Sequence, residues 1–315
     1  MIKTPICELL GIDYPIIQGG MAWIADAELA AAVSNGGGLG IISAMNADGN
    51  WLRDEIRKAK SLTDKPFGVN IMLMSPHVNE VAEIVIEEKV AVVTTGAGNP
   101  SKYIKKWKEA GIKVVPVVPS TAIAKLVARS GADAVIAEGG ESGGHVGDLT
   151  TMTLVPQVCD AIDIPVVAAG GIADGRGMAA AIMLGACGVQ MGTRFLVATE
   201  CNVSDAYKQK IIKAKDIDTM VTGKRLGHPV RVLKNPFARE FNKMEYNSNI
   251  TDKEIEAFGA GSLRKAAVDG DIKNGSFMSG QIAAIVKKEE PAEAIIKDVC
   301  THAETILAGG MKWVK

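Results

Sequence analysis

Aromatic side chains are scarce, at 4% of 315 residues. The interior must therefore be filled by Val, Ile, Leu and Ala, as in α/β proteins whose parallel strands are buried on both faces. Charge imbalance is missing too. A formal net charge of −1 offers no global attraction to nucleic acid or to an anionic membrane. No apolar run approaches the roughly 18–20 residues of a membrane span. The start, Met1-Ile-Lys-Thr-Pro, has no apolar signal core followed by a cleavage site. The expected location is cytoplasmic, with neither nucleic acid nor membrane as a partner. Five cysteines (Cys7, Cys159, Cys187, Cys201, Cys300) form no CxxC and have no histidine at ligand spacing, so they read as small apolar residues in a reducing compartment. There is no HxxH or HExxH, and no catalytic metal is expected. The absence of GxSxG argues against a hydrolase elbow.

What the chain has is glycine, 34 residues of it, and a recurring pattern: short apolar strand, glycine or polar loop, amphipathic helix. Strand candidates are residues 15–18, 39–42, 67–72, 91–94, 113–118, 134–137, 166–169 and 188–191. Helical stretches between them cover 26–34, 50–60, 77–88, 101–109, 121–129, 151–161 and 175–184. Asp26, Ser101 and Ser120 or Thr121 stand where helices start, and Gly36, Gly111, Gly131 and Gly185 where they stop. Eight consecutive β/α units favour a closed (β/α)8 TIM barrel over an open doubly wound sheet. After Met191 the repeat ends. Residues 199–280 are more polar, with Pro229 and Pro236 and no clear strand period. They read as a smaller inserted, mostly helical subdomain or lid near the C-terminus. The barrel then comprises residues 1–198 and 281–315, with helical segments at 281–286 and 291–307 closing it.

In such a barrel the residues just past the strand ends share one mouth. Here they include Gln18 to Met21, Asn70, Glu138 with the loop Gly139-Gly-Glu-Ser-Gly-Gly-His145, Gly170-Gly171 and Gly192-Thr193-Arg194. The glycine pairs after strands seven and eight bare backbone N–H groups just before a helix, which favours a phosphate. Asn70 can both donate and accept, and suits the edge of a flavin ring. His145 is the best acid/base candidate. His77, at a helix start, and His302, in the C-terminal helix, read as surface residues. His228 does too, although it could line a lid. Gly36-Gly-Gly-Leu-Gly40 precedes a strand, and Gly96-Ala-Gly-Asn-Pro has Ser101 where a third glycine belongs, so neither is a dinucleotide fingerprint.

Ile17-Gln-Gly-Gly-Met-Ala-Trp23, Gly68-Val-Asn-Ile-Met72, Ala137-Glu-Gly-Gly-Glu-Ser-Gly-Gly-His145, Ala168-Ala-Gly-Gly-Ile-Ala-Asp174, Met191-Gly-Thr-Arg-Phe195 and Gly275-Ser-Phe-Met-Ser-Gly-Gln281 resemble the nitronate monooxygenase superfamily of flavin mononucleotide (FMN) barrels. Within it the resemblance is closest to the FMN-dependent enoyl-acyl-carrier-protein reductase II branch of bacterial fatty acid synthesis. The resemblance implies FMN contacts from Gly19, Gly20, Met21, Ala22, Asn70, Glu138, Gly170, Gly171, Gly192 and Thr193, with Ser142 nearby and Gly280 and Gln281 reaching in from the returning segment. It implies NADH or NADPH as co-substrate and a trans-2-enoyl thioester on acyl carrier protein as substrate, with His145 polarising or protonating the enolate. From Lys208 to Lys243 ten Lys/Arg face three acids; this stretch is either a solvated face or a landing surface for the acidic carrier. A homodimer is expected, since symmetric dimers are common among such barrels. The alternatives are a nitronate monooxygenase, which needs oxygen and no nicotinamide, and a non-catalytic flavin-binding module.

Overall fold

The computed structural model describes residues 2–44 and 47–310. Its strands, in chain order, are β1 (Ile16–Gln18), β2 (Gly40–Ser43), β3 (Phe67–Met72), β4 (Val92–Gly96), β5 (Lys113–Val118), β6 (Val135–Glu138), β7 (Gly144–His145), β8 (Val166–Ala169), β9 (Gly188–Met191), β10 (Thr219–Thr222) and β11 (Val230–Leu233). Eight of them form a parallel ring in the order β1-β9-β8-β6-β5-β4-β3-β2. A parallel bridge between Ile17 and Leu39 joins its two ends. The fold is a (β/α)8 barrel.

Strand alternation explains why short apolar runs suffice. Ile17, Ile41, Val92, Val115, Ile136 and Val167 point inward and pack together. Their neighbours Ile16, Ile42, Val93, Val114, Val135 and Ala168 point outward into the layer beneath the helices. The helix Pro5–Leu10 closes the N-terminal end of the barrel, adding Ile6, Cys7 and Leu10 to the inner cluster. Gly40 is required by contact: a Cβ there would stand 1.8 Å from the Ala30 carbonyl oxygen of the helix Ala27–Asn35. Asp26 and Ser120 cap their helices by accepting from Leu29 N and Ile123 N. The final helix, Ala292–Gly309, packs on Gly175–Met183.

The segment after β9 is helical in large part, with helices Asp205–Ile212, Pro236–Glu245, Asp252–Gly259 and Ser262–Ala267. Phe237, Phe241 and Ile255 form its own small core, with Phe258 stacked on Phe237 at 5.0 Å. It also holds a hairpin that the sequence reading missed. β10 and β11 pair antiparallel, and β11 pairs in turn with β7. Each hairpin strand has only four residues, too few to show a period of two.

Candidate active site

All the chemistry-bearing loops gather at the C-terminal end of the ring, around a cavity of 610 Å³. On the side of β8, β9 and β1, glycines form the wall. Gly20 lies on Asn70 so closely that a Cβ would be 2.4 Å from the Asn70 Cβ. Gly170 (φ 91°) and Gly171 (φ 71°) follow β8 in the left-handed region that other residues avoid. On the side of β3, β4 and β5 the wall is apolar: Met72, Met74, Ala97, Val117 and Pro119.

Asn70 is oriented by its neighbour across the sheet. Thr94 pairs with it in register and donates its hydroxyl to Asn70 Oδ1 at 2.9 Å. Thr94 is buried and has this acceptor, so the amide oxygen is engaged and the NH2 is left for the cavity. Glu138 ends β6 at the cavity wall, and burial pushes its carboxyl up to about 7. Ser142 stands close enough to temper that rise, yet its Oγ is buried without a hydrogen bond in the protein.

The glycine-rich loop after β6 is pinned rather than loose. A Cβ on Gly139 would meet Thr151 Oγ1 at 2.2 Å, and one on Gly143 would meet the backbone of Ser279 and Gly280 at 2.7 Å. Glu141 accepts from Thr151 N at 2.9 Å and from Thr151 Oγ1 at 2.9 Å. Arg231 on β11 donates twice to the Gly140 carbonyl, at 3.1 and 2.9 Å. Val230 pairs with His145 and Arg231 with Gly144. His145 therefore sits on a short strand locked to the β10–β11 hairpin. Its ring is exposed at the cavity edge, and partial desolvation with the nearby His228 holds its proton affinity below the usual histidine value.

Twelve of the thirteen expected FMN-contact residues, together with His145, line the one cavity: Gly19, Gly20, Met21, Ala22, Asn70, Glu138, Ser142, Gly170, Gly171, Gly192, Thr193 and Gly280. Gln281 does not. Its side chain is exposed and only its backbone N–H is engaged, donating to Glu141 O at 2.9 Å. Gly280 N donates to Thr193 Oγ1 at 2.9 Å, tying the returning segment to the loop after β9. The helix N-terminus after β8 is already satisfied by Asp174, which accepts from Arg176 N and Gly177 N. After β9 comes only a three-residue turn of 3-10 helix, Phe195–Val197. An anion here would therefore meet the backbone of the glycine turns rather than a helix dipole, a refinement of the sequence argument.

Residues 3–88 and 78–302 match the family model for nitronate monooxygenase. The chain belongs to the nitronate monooxygenase family. Its fold is nearly superimposable on the structure of FabK from Thermotoga maritima, with 51% identity, a TM-score of 0.97 and full coverage of both chains. It is 38% identical over 350 residues to (3aS,4S,5R,7aS)-5-hydroxy-7a-methyl-1-oxo-octahydro-1H-indene-4-carboxyl-CoA dehydrogenase of Mycobacterium tuberculosis, covering 98% of this chain and 99% of that one. It is 37% identical over 354 residues to a probable nitronate monooxygenase of Staphylococcus saprophyticus, covering 97% and 99%.

These family relations make the chain a flavin-dependent oxidoreductase with FMN as its cofactor. The cavity fits that group: positive-φ glycines leave room for close backbone approach, Asn70 offers an amide donor, and Ser142 holds a buried hydroxyl in need of a partner.

One histidine read as a surface residue that could line a lid faces the site. His228 lines the same cavity, together with Gly227 and Pro229. His77 instead faces Glu80 at 3.6 Å, and His302 is exposed on the last helix. Several cations between 208 and 243 are already engaged within the protein. Lys208 is buried against Glu289 at 2.6 Å, Lys210 donates to Lys234 O, Arg225 holds Asp252 at 2.8 Å, and Arg231 anchors the active-site loop. Among the described residues no helix is long and apolar enough to cross a membrane, and no cluster of three or more His, Cys, Asp or Glu could hold a metal.

Proposed function

We propose that this protein is an FMN-dependent enoyl-acyl-carrier-protein reductase, drawing on NADH or NADPH to saturate trans-2-enoyl thioesters in bacterial fatty acid synthesis. The observation that carries the reading is the apolar wall over β3 to β5, facing a glycine-built wall with His145 between. A hydrocarbon chain needs such a wall; a small nitronate does not. The full-length likeness to FabK supports the same choice over the monooxygenase alternative.

Bound FMN supplies the hydride chemistry. The chain's own residues supply position and charge. The turns at Gly170-Gly171 and Gly192-Thr193 would hold the cofactor's phosphate end, and the Asn70 NH2 would be its amide donor. His145 donates to, or protonates, the enolate that forms as the substrate double bond is reduced. Residues 1–198 and 281–315 serve as the cofactor-holding barrel and 199–280 as the substrate-side lid. The acidic carrier docks on the exposed cations of the insertion for which no ion pair is found among the described residues, Lys213, Lys215, Lys224 and Arg239. The enzyme works as a cytoplasmic homodimer.

The test is anaerobic. Under NADH or NADPH the flavin should bleach at once, and an enoyl thioester should restore its colour. A flavin that ignores both nicotinamides but turns over nitronates in air would establish the monooxygenase instead. One that ignores every reductant would leave a binding module.

A further inference from the structure

Two of the four histidines face the cavity, and the chain presents them alike. Gly144 (φ 78°) precedes His145 and Gly227 (φ 74°) precedes His228, each in the left-handed region. The turn bearing His228 is fixed. His228 N donates to Gly223 O at 3.0 Å and Gly227 N to Lys224 O at 3.1 Å. A Cβ on Gly223, itself at φ 79°, would come within 2.4 Å of His228 O. Val146 N donates to Pro229 O at 3.0 Å, extending the β7–β11 ladder in which Val230 faces His145. The two imidazoles thus stand on β7 and on the turn that leads into its neighbour β11, at the edge of one cavity, and both residues are exposed.

The other charged groups around them are largely committed. Glu141 is held by Thr151, Arg231 by Gly140 O and Arg225 by Asp252. Tyr207, on the cavity wall, donates to Met278 O at 2.6 Å. Glu138 is set back at the end of β6, and Lys224 on the same turn is exposed. Burial, and after it the like charge of His228, lowers the proton affinity of His145.

We propose that His145 and His228 form one proton-handling pair, in which His228 is the positioning member that draws a proton from solvent and returns it to His145 after each turnover. This rests on the reading of the chain as an enoyl-thioester reductase. There the bound cofactor would supply hydride to the β-carbon of the substrate; the C=C electron pair shifts to the bond between the α-carbon and the thioester carbonyl carbon, and the carbonyl pair moves onto its oxygen, leaving an enolate. Collapse of the enolate forms one C–H bond at the α-carbon, using a proton from the His145 imidazolium, which is left neutral. His228, recharged by water, replaces that proton.

The test compares wild type with His228→Asn and His228→Gln. Ring-proton NMR of the protein should show two coupled histidine titrations in wild type. In either variant a single His145 step should remain, moved upward toward the ordinary histidine value. In steady-state turnover, reduction of crotonyl thioester should slow about 10- to 100-fold, because His145 is recharged slowly, while a single oxidation of the pre-charged reduced enzyme keeps its rate. Flavin reduction by the nicotinamide should be unchanged, and added imidazole should recover the rate. The proposal is overturned if His145 titrates identically without His228 and turnover keeps its wild-type rate. It is equally overturned if both half-reactions fall together with no imidazole rescue, which would mark His228 as structural. A wild type that reduces no enoyl thioester refutes the functional reading, while the NMR result still decides whether the two rings are coupled.

Discussion

The two ends of the barrel are made from the same strands and differ in almost every physical respect. At the N-terminal end the helix Pro5–Leu10 seals the ring with Ile6 and Leu10, both buried. At the C-terminal end the polar interior is left incomplete. Ser43 closes β2, Ser142 follows β6, Arg194 follows β9 and Ser279 lies on the returning segment. These four carry all the buried side-chain polar atoms without a partner among the described residues. An unpaired buried polar atom costs about 1–3 kcal/mol. One end is packed for stability; at the other, Ser142 alone of these four lines the cavity and keeps hydrogen-bonding capacity for something that binds.

Five changes would break or sharpen that contrast. The largest effect belongs to His145→Ala, which should slow enoyl-thioester reduction roughly 10²- to 10⁴-fold. Flavin content and flavin reduction should barely change; equal losses in both half-reactions would make the residue an anchor. At the opposite end, Ile6→Ala should cost about 2–5 kcal/mol in denaturant unfolding while FMN affinity holds. A parallel loss of affinity would mean that the two ends are not separable. Thr94→Val frees the Asn70 amide to flip and should weaken FMN binding roughly tenfold, the equivalent of about 1.4 kcal/mol, with Thr94→Ser recovering it; fluorescence titration reads both.

Glu138→Gln concerns pH. The folded carboxyl sits at about 7, above its ordinary 4.5. Between those values the unfolded chain gives up a proton that the folded one keeps, so stability falls as pH rises through the window. The Gln variant, measured without flavin, should show a flatter melting profile across that range. Smallest of all, charge reversal at Lys213 and Lys215 should raise KM for carrier-linked substrate and spare small thioesters. Equal damage to both would return those lysines to a structural role.

How much of this was legible in the chain follows from where the information lies. The ring strands were readable to within a residue or so, because parallel strands buried on both faces must be runs such as Val-Val-Ala-Ala at β8. The glycines after β1, β8 and β9 were readable as a mouth, because strand ends converge. The partner of His145 was not. β7 is two residues long and pairs with a segment 85 positions away in the chain, and nothing local in Gly144-His145 encodes that. The signal for His228 was present but faint: a histidine behind a glycine and before Pro229, the same glycine-then-histidine step as at 144–145. Counting cations overstated how much of that charge faces solvent. Lys208 and Arg231 spend their charge inside the molecule, a matter of burial that net charge cannot report.

The ladder between β7 and β11 also has a bearing on when this enzyme comes to life. During synthesis all eight ring strands emerge before residue 230 does, so the scaffold precedes its own histidine clamp. On gentle unfolding the order should reverse: a four-residue hairpin strand and one arginine let go sooner than a closed ring. Turnover should then vanish while circular dichroism still reports an intact barrel.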